Sequence, residues 1–295
     1  MNGKERGFLL LTSHLGDPDR KPMTVAQFRQ LTMRMAQMER PVEDRELSRE
    51  DMLPLGYDAD NADRILSLLA DTAVLEHYLA RGKRAGCQPV SRVSPQYPVA
   101  LRKRLGLDAP GCLWAKGDLS LLDTLKIALV GSRDLALPNR EFARRAGVEA
   151  ARQGITLVSG NARGADRTAQ EACLQAGGRV ISVVADELAQ QPPRENVLYL
   201  SEDGFDLPFT TQRALSRNRV IHALGSLTLV VQSDLGIGGT WDGTVKNLRN
   251  NWSPVFCFDD GGPVAAELEQ LGATLILPEQ LDDFSKLQWN IQRFL

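Results

Sequence analysis

The sequence predicts an α/β protein: a doubly wound, mostly parallel sheet preceded by a small helical N-terminal domain. Three observations carry this. Short apolar, β-branched runs recur at 127–130, 155–158, 180–184, 227–231, 255–258 and 274–277, separated by helical stretches. Parallel strands covered on both faces read as such runs, because both sides of each strand are buried. Several runs end in glycine and small polar residues, and the first hundred residues lack the strand pattern altogether. Together these define a Rossmann-like organisation.

Taken in order, Thr24-Val25-Ala26-Gln27 has capping-box form, and Val25, Phe28, Leu31, Met35 and Met38 follow at helical spacing. Ser48-Arg49-Glu50-Asp51 predicts a second helix start, Leu55-Gly56-Tyr57 a turn, and Ile65, Leu66, Leu69 and Ala73 one face of a third helix. Residues 1–88 are therefore expected to form a helical domain of SAM or helix-hairpin-helix type. Pro89, Pro95, Pro98, Pro110 and Gly111 punctuate 89–125, which is read as a connector. The sheet domain is placed at 126–280 and a tail at 281–295. Between the strands, one helix carries Phe142, Ala143, Ala146 and Ala150, and another Ala169, Ala172, Cys173 and Ala176.

The 295 residues are 43% hydrophobic and 24% charged, the composition of a globular protein. No apolar run approaches the ~20 residues that span a bilayer, and the start lacks a signal-peptide pattern. Cys87, Cys112, Cys173 and Cys257 are scattered, without metal-ligand or CxxC spacing. Reduced, mostly buried thiols of a cytoplasmic protein are expected, with no metal, no cofactor and no membrane partner. A net charge of −2 excludes a protein that coats nucleic acid by bulk charge. Locally the balance differs. Between Val130 and Arg167 stand seven arginines (133, 140, 144, 145, 152, 163, 167) against four acids (134, 141, 149, 166). A solvated helix face accounts for Arg140, Arg144 and Arg152. Acids dominate from Glu43 to Asp60, so the segment before about Gln88 is expected to be dispensable both for folding of the remainder and for binding a polyanion.

In a doubly wound sheet, ligands bind outside the carboxyl ends of the strands. Gly131-Ser132-Arg133 follows the first predicted strand, Ser159-Gly160-Asn161-Ala162-Arg163-Gly164-Ala165-Asp166 the second, and a loop containing Gly236, Gly238, Gly239 and Thr240 the fourth. Glycine lets backbone N–H groups approach a phosphate, and a following helix N-terminus favours negative charge. Ser132, Ser159 and Thr240 offer hydroxyls, and Arg133 and Arg163 a bidentate fork. Asp166 reads either as a helix N-cap or as a partner for Arg163 or a ligand hydroxyl. Arg217 and Arg219, two apart around Asn218, suit a helix entry from which both reach a phosphate track; ion pairs to neighbouring acids are the alternative.

Neither a GxGxxG fingerprint nor a P-loop occurs, which disfavours a dehydrogenase or P-loop ATPase. His14, His77 and His222 are isolated, with no nucleophile elbow or metal cluster. No catalytic residue is assigned.

Val130-Gly131-Ser132-Arg133, then Ser159-Gly160-x-Ala162-x-Gly164-x-Asp166, then Arg217-Asn218-Arg219-Val220-Ile221 resemble, in order and spacing, the DNA-processing protein A (DprA/Smf) family. Tyr97-Pro98 with Leu101, and Leu113-Trp114-x-Lys116-Gly117, look like that family's lead-in. The resemblance implies a Rossmann-like fold that binds single-stranded DNA in a basic pocket. It also implies a homodimer and a RecA-type recombinase as partner, in natural transformation and recombination. On this resemblance the binding residues are Gly131, Ser132, Arg133, Ser159, Gly160, Gly164, Asp166, Arg217, Asn218 and Arg219, to which the loops add Arg163, Gly238, Gly239 and Thr240. Gln170 stands where the family usually has histidine, the glycine loop departs from the usual Ser-Gly-Ser form, and a C-terminal winged helix is expected to be missing. The glycine loop also resembles that of the cytokinin-activating phosphoribohydrolases, with Gly243 where their catalytic glutamate stands and Asp242 one position off. Nucleotide N-glycoside hydrolysis is thus the alternative function, and a non-catalytic nucleotide sensor a third.

Overall fold

A computed structural model describes residues 1–37, 47–202 and 204–287. The elements run α1 (Gly3–Thr12), α2 (Val25–Met35), α3 (Arg49–Met52), α4 (Ala59–Ala70), α5 (Thr72–Arg84), β1 (Gln88–Ser91), α6 (Val99–Leu105) and β2 (Cys112–Lys116). They continue with β3 (Lys126–Val130), α7 (Leu137–Arg152), β4 (Thr156–Ser159), α8 (Ala165–Gln175), β5 (Arg179–Val183) and β6 (Val197–Glu202). Last come α9 (Thr211–Ser216), α10 (Asn218–Leu224), β7 (Thr228–Val230), α11 (Gly238–Asn250), β8 (Val255–Phe258), α12 (Pro263–Gln270) and β9 (Thr274–Ile276).

Among the described residues the strands form one sheet in the order β1-β2-β6-β5-β4-β3-β7-β8-β9. The seven from β6 to β9 run parallel, and β1 and β2 are antiparallel to their neighbours. This is the predicted doubly wound α/β fold. After β3 the chain winds outwards through β4, β5 and β6, then returns to start β7 on the other side. The switch point therefore lies between the carboxyl ends of β3 and β7.

Alternation along the strands sends Ile127 and Leu129 to one face and Ala128 and Val130 to the other. The first face packs against α7 and α8 through Phe142, Ala146, Ala169 and Cys173, the second against α6, α10 and α12 through Leu101, Ile221 and Leu268. Gly147 of α7 lies where a Cβ would stand 2.2 Å from the Ala169 carbonyl oxygen, so the two helices cross in near-backbone contact.

The 89–125 segment departs from its reading as a connector. It supplies β2, most of β1, and α6. Pro89 sits in β1 at the sheet edge, where a strand has no further partner to accept from a donor and proline is tolerated. The strand β6 was also unforeseen. In the helical segment the Thr24 capping box forms as expected, with the Gln27 amide 3.2 Å from Oγ1 of Thr24. Leu31 is the buried residue of the α2 stripe, and Met38 lies outside the described residues. The third helix expected from the sequence is α4, which ends at Ala70, buries Ala62, Ile65 and Leu68, and leaves Ala73 to α5.

These helices are not independent of the sheet. Phe8, Leu9, Tyr78 and Trp114 share one core with the strands. Tyr78, Trp114 and Phe205 meet with ring centroids 4.7–5.2 Å apart. Tyr78 Oη donates to Oδ1 of Asp206 at 2.8 Å, and Arg81 pairs with Oδ2 at 2.9 Å. This shared core speaks against the expectation that the remainder folds without this segment, because removing it would uncover Trp114. All four cysteines are buried; burial pushes the Cys173 thiol up to about 11 and that of Cys257 to about 12. No helix among the described residues is long and apolar enough to cross a membrane.

Candidate nucleic-acid interface

The loops after β3, β4 and β7 meet at the switch point. The Ser132 amide donates to the Gln232 carbonyl (2.9 Å), the Ser132 carbonyl accepts from the Ala165 amide (3.1 Å), and the Gln232 side chain accepts from the Ala136 amide (2.9 Å). A Cβ on Gly131 would stand 2.5 Å from that of Ala165, so the strand end and the start of α8 touch through glycine. Gly164 has φ +87°, and a Cβ there would lie 2.3–2.4 Å from the carbonyl oxygens of Arg133 and Ser132. Conformation and space both require glycine.

Gly164 is the N-cap of α8 and supplies no side chain. Asp166 is thus not the cap. From the second helical position its Oδ2 accepts from the amides of Gly160 and Ala162, each at 3.1 Å, closing the β4 loop on itself. Burial raises its carboxyl above the ordinary range, opposed by Arg217 and those two amides.

Arg217 stands at the junction of α9 and α10 and is only 8% exposed. Its guanidinium lies on Gly160, where a Cβ would fall 1.4 Å from Nη1. Nε and Nη1 have no hydrogen-bond partner among the described residues. Burial depresses its basicity, offset chiefly by Asp166 and then Asp186. Buried polar groups are nearly always paired, and an unmatched charged donor is destabilising by ~1–3 kcal/mol or more. Beside it Arg133 is exposed, with no ion pair among the described residues, and contributes to the fields at both Asp166 and Arg217.

The structure thus brings together Gly131, Ser132, Arg133, Gly160, Gly164, Asp166 and Arg217. Gly238, Gly239 and Thr240 open α11 at the adjacent β7 end, where the N-cap, Ile237, offers no side-chain bond. Asn218 braces that terminus by donating to the Gly239 carbonyl at 3.0 Å. Arg163 is exposed and paired with Asp134 at 2.9 Å.

Two residues expected here are engaged in the fold. Ser159 is fully buried, its Oγ accepting from Nε2 of Gln170 at 2.6 Å. Arg219 turns to the other side of α10. It makes a two-pronged pair with Glu202 (3.2 and 2.6 Å) and donates to the Asp108 carbonyl (2.9 Å) and to Ser216. Two positions around the same helical turn diverge, as their separation requires. Sequence reasoning missed Gln232 as the tie between the β3 and β7 loops; its place directly after a strand run was the available signal. At the alternative centre, a Cβ on Gly243 would stand 3.2 Å from both Cβ of Asn218 and Nε2 of His222, and Asp242 is paired with Lys246 at 2.8 Å.

A doubly wound sheet whose switch point is lined by glycine loops, Arg133 and Arg217 defines a Rossmann-like α/β protein. The profile of the DNA recombination-mediator protein A family matches residues 88–258, and the chain belongs to that family. It is 32% identical over 169 residues to the DNA processing protein DprA of Bacillus subtilis, covering 54% of this chain and 56% of that protein. It is also 32% identical over 142 residues to protein Smf of Escherichia coli, covering 44% of this chain and 38% of that one. The chain thus spans about half or less of the length of these relatives. The structure of DprA from Streptococcus pneumoniae superposes with a TM-score of 0.65 at 23% identity, covering 86% of this chain and 95% of that one. DNA processing protein A from Helicobacter pylori, studied for its single-stranded DNA binding mode, superposes with a TM-score of 0.54 at 26% identity, covering 64% and 90%.

Proposed function

We propose that this chain is a DNA-processing mediator that binds single-stranded DNA along the strand-end edge, with Arg217 and Arg133 gripping backbone phosphate and Arg163 beside them. The observation that carries the reading is Arg217: a buried guanidinium over a glycine, with two donors unmatched among the described residues. A phosphate oxygen supplies both the charge and the acceptors. The glycine start of α11 at Gly238 and Gly239 adds backbone N–H groups without side chains in the way. Family membership and the DNA-binding relative from Helicobacter pylori support the same ligand. A RecA-type recombinase as recipient of the strand and a homodimer as the working state belong to this proposal. Nucleotide hydrolysis is not favoured, since Gly243 stands where a glutamate is needed and is crowded by Asn218 and His222.

Oligo-dT binding by Arg133→Ala and Arg217→Ala tests it against Arg144→Ala and Arg152→Ala, whose arginines are exposed and paired with Glu141 and Glu149. A charge-assisted bond to phosphate is worth about 1.5–3 kcal/mol, so each site variant should bind roughly ten- to a hundredfold more weakly. The control variants should bind like the parent. Folded site variants that match the controls would remove the DNA reading.

A further inference from the structure

The helix α9, which leads into Arg217, buries none of its residues in the core. A helix of six residues is not stable on its own, so polar ties must hold it in place. Arg213 supplies them. Its Nη1 donates to the carbonyls of Leu207 (2.9 Å), Pro208 (2.8 Å) and Ala185, and its Nη2 to Oγ of Ser201 in β6 at 2.7 Å. The Arg213 amide donates to Oγ1 of Thr210 at 3.1 Å, and its carbonyl accepts from the Arg217 amide at 3.0 Å. One side chain thus ties α9 to the ends of β5 and β6. Ala185 precedes Asp186, whose charge favours the Arg217 cation, so Arg213 fixes Arg217 and part of its field at once.

The same clamp reaches the N-terminal helices. Leu207 and Pro208 follow directly on Asp206, which accepts from Tyr78 Oη at 2.8 Å and pairs with Arg81 at 2.9 Å. Phe205 before it packs on Tyr78 and Trp114, and a Cβ on Gly204 would stand 3.0 Å from Tyr78 Oη. From α5 to Arg217 the path is a series of direct bonds: Tyr78 to Asp206, the next carbonyl at Leu207 to Arg213, and the Arg213 carbonyl to the Arg217 amide. We propose that Arg213 is a positioning residue for Arg217, and that the N-terminal helices hold it in place through Tyr78 and Asp206. The inference rests on the reading of Arg217 as a phosphate ligand. It gives the helical segment a part in DNA binding without contact with DNA. A guanidinium packed on Gly160 has little latitude. Hydrogen bonds weaken steeply as donors leave the line to their acceptors, so a small shift of α9 costs Arg217 its grip.

The test measures oligo-dT binding by the full chain carrying Arg213→Lys or Tyr78→Phe, each alone and combined with Arg217→Ala. Arg213→Lys keeps the charge but has no planar fork to bridge the carbonyls and Ser201. Tyr78→Phe keeps the ring and loses only the bond to Asp206. Arg213→Lys should weaken binding about tenfold, within the range of the Arg217 contact itself. Tyr78→Phe, further along the path, should weaken it about threefold. On Arg217→Ala neither change should weaken binding further, because residues that act through one another are not additive. A loss that multiplies in full with that of Arg217→Ala would overturn the inference, since Arg213 or Tyr78 would then act independently of Arg217. So would parent affinity in either folded variant, even one whose melting temperature falls, which would leave only a structural tie. If Arg213→Lys does not fold, Tyr78→Phe and its double variant decide alone. Failure of Arg217→Ala to weaken oligo-dT would instead overturn the phosphate reading beneath the inference.

Discussion

At the scale of single residues, the site is an arrangement of one buried cation, one buried carboxylate and the glycines that let them approach backbone. Arg217 reaches Gly160 only because no side chain is there, and Asp166 holds the same loop from beneath through two amides. Removing the carboxylate would leave those amides and the Arg217 charge unmatched in a buried setting. Asp166→Ala should therefore destabilise the protein by about 2–4 kcal/mol in urea unfolding. Asp134→Ala, which breaks only the exposed pair with Arg163, should change stability by no more than about 0.5 kcal/mol. Equal midpoints for the two variants would show that Asp166 has no such role. The residue scale was also the least legible in the sequence. Nothing near Arg219 announces Glu202 as its partner, because the contact is made by the return of β6 to the sheet. Ser159 looked like a ligand donor because it ends a strand before glycine; its hydroxyl turned out to face Gln170 beneath the loop.

Between elements, α10, β7, α11 and the start of β8 are joined by a buried polar cluster. His222 Nδ1 lies 3.2 Å from both Thr228 Oγ1 and Asn247 Nδ2, Thr228 and Ser253 hydroxyls are 2.8 Å apart, and the Ser253 amide donates to Asn247 Oδ1 at 2.9 Å. Burial without a carboxylate partner pulls His222 down to about 3. The folded protein keeps the imidazole neutral, whereas the unfolded chain protonates it below the ordinary value of about 6.5. Stability from this group is thus complete above pH 6.5 and lost as pH falls towards 3. Asp166, raised by burial, works in the opposite sense, since its folded form takes up a proton first on acidification. Unfolding free energies of the parent and of His222→Gln between pH 7 and 4 should show a shallower acid decline in the variant. Parallel declines would place the acid sensitivity elsewhere. Element identity was legible where apolar runs were short and bounded by glycine, as for β3, β4, β5, β7, β8 and β9. It was lost at the antiparallel margin, where Pro89 in β1 resembles a linker and where β2 and β6 find each other only through long-range pairing.

Over the whole molecule, the sheet separates two tasks. One face is covered by α7, α8 and the N-terminal helices through Tyr78 and Trp114, the other by α6, α10 and α12, while the carboxyl edge stays open with its loops tied across the switch point. On the proposed reading the arginines open to phosphate are few, since Arg219, Arg144 and Arg152 have partners within the fold. Arg133 and Arg217 remain, and Arg163 joins them if a phosphate replaces its exposed pair with Asp134. Three phosphate contacts on a single strand give a log-affinity against log-salt slope of roughly −2, at about 0.7 per contact. The most direct measurement is that slope for oligo-dT in the parent and in Gly160→Ala, a change that evicts the Arg217 guanidinium without altering any charge. The predicted result is a folded variant that binds roughly ten- to a hundredfold more weakly, with a slope shallower by about 0.7. A folded Gly160→Ala protein with the parent's affinity and slope would contradict the account.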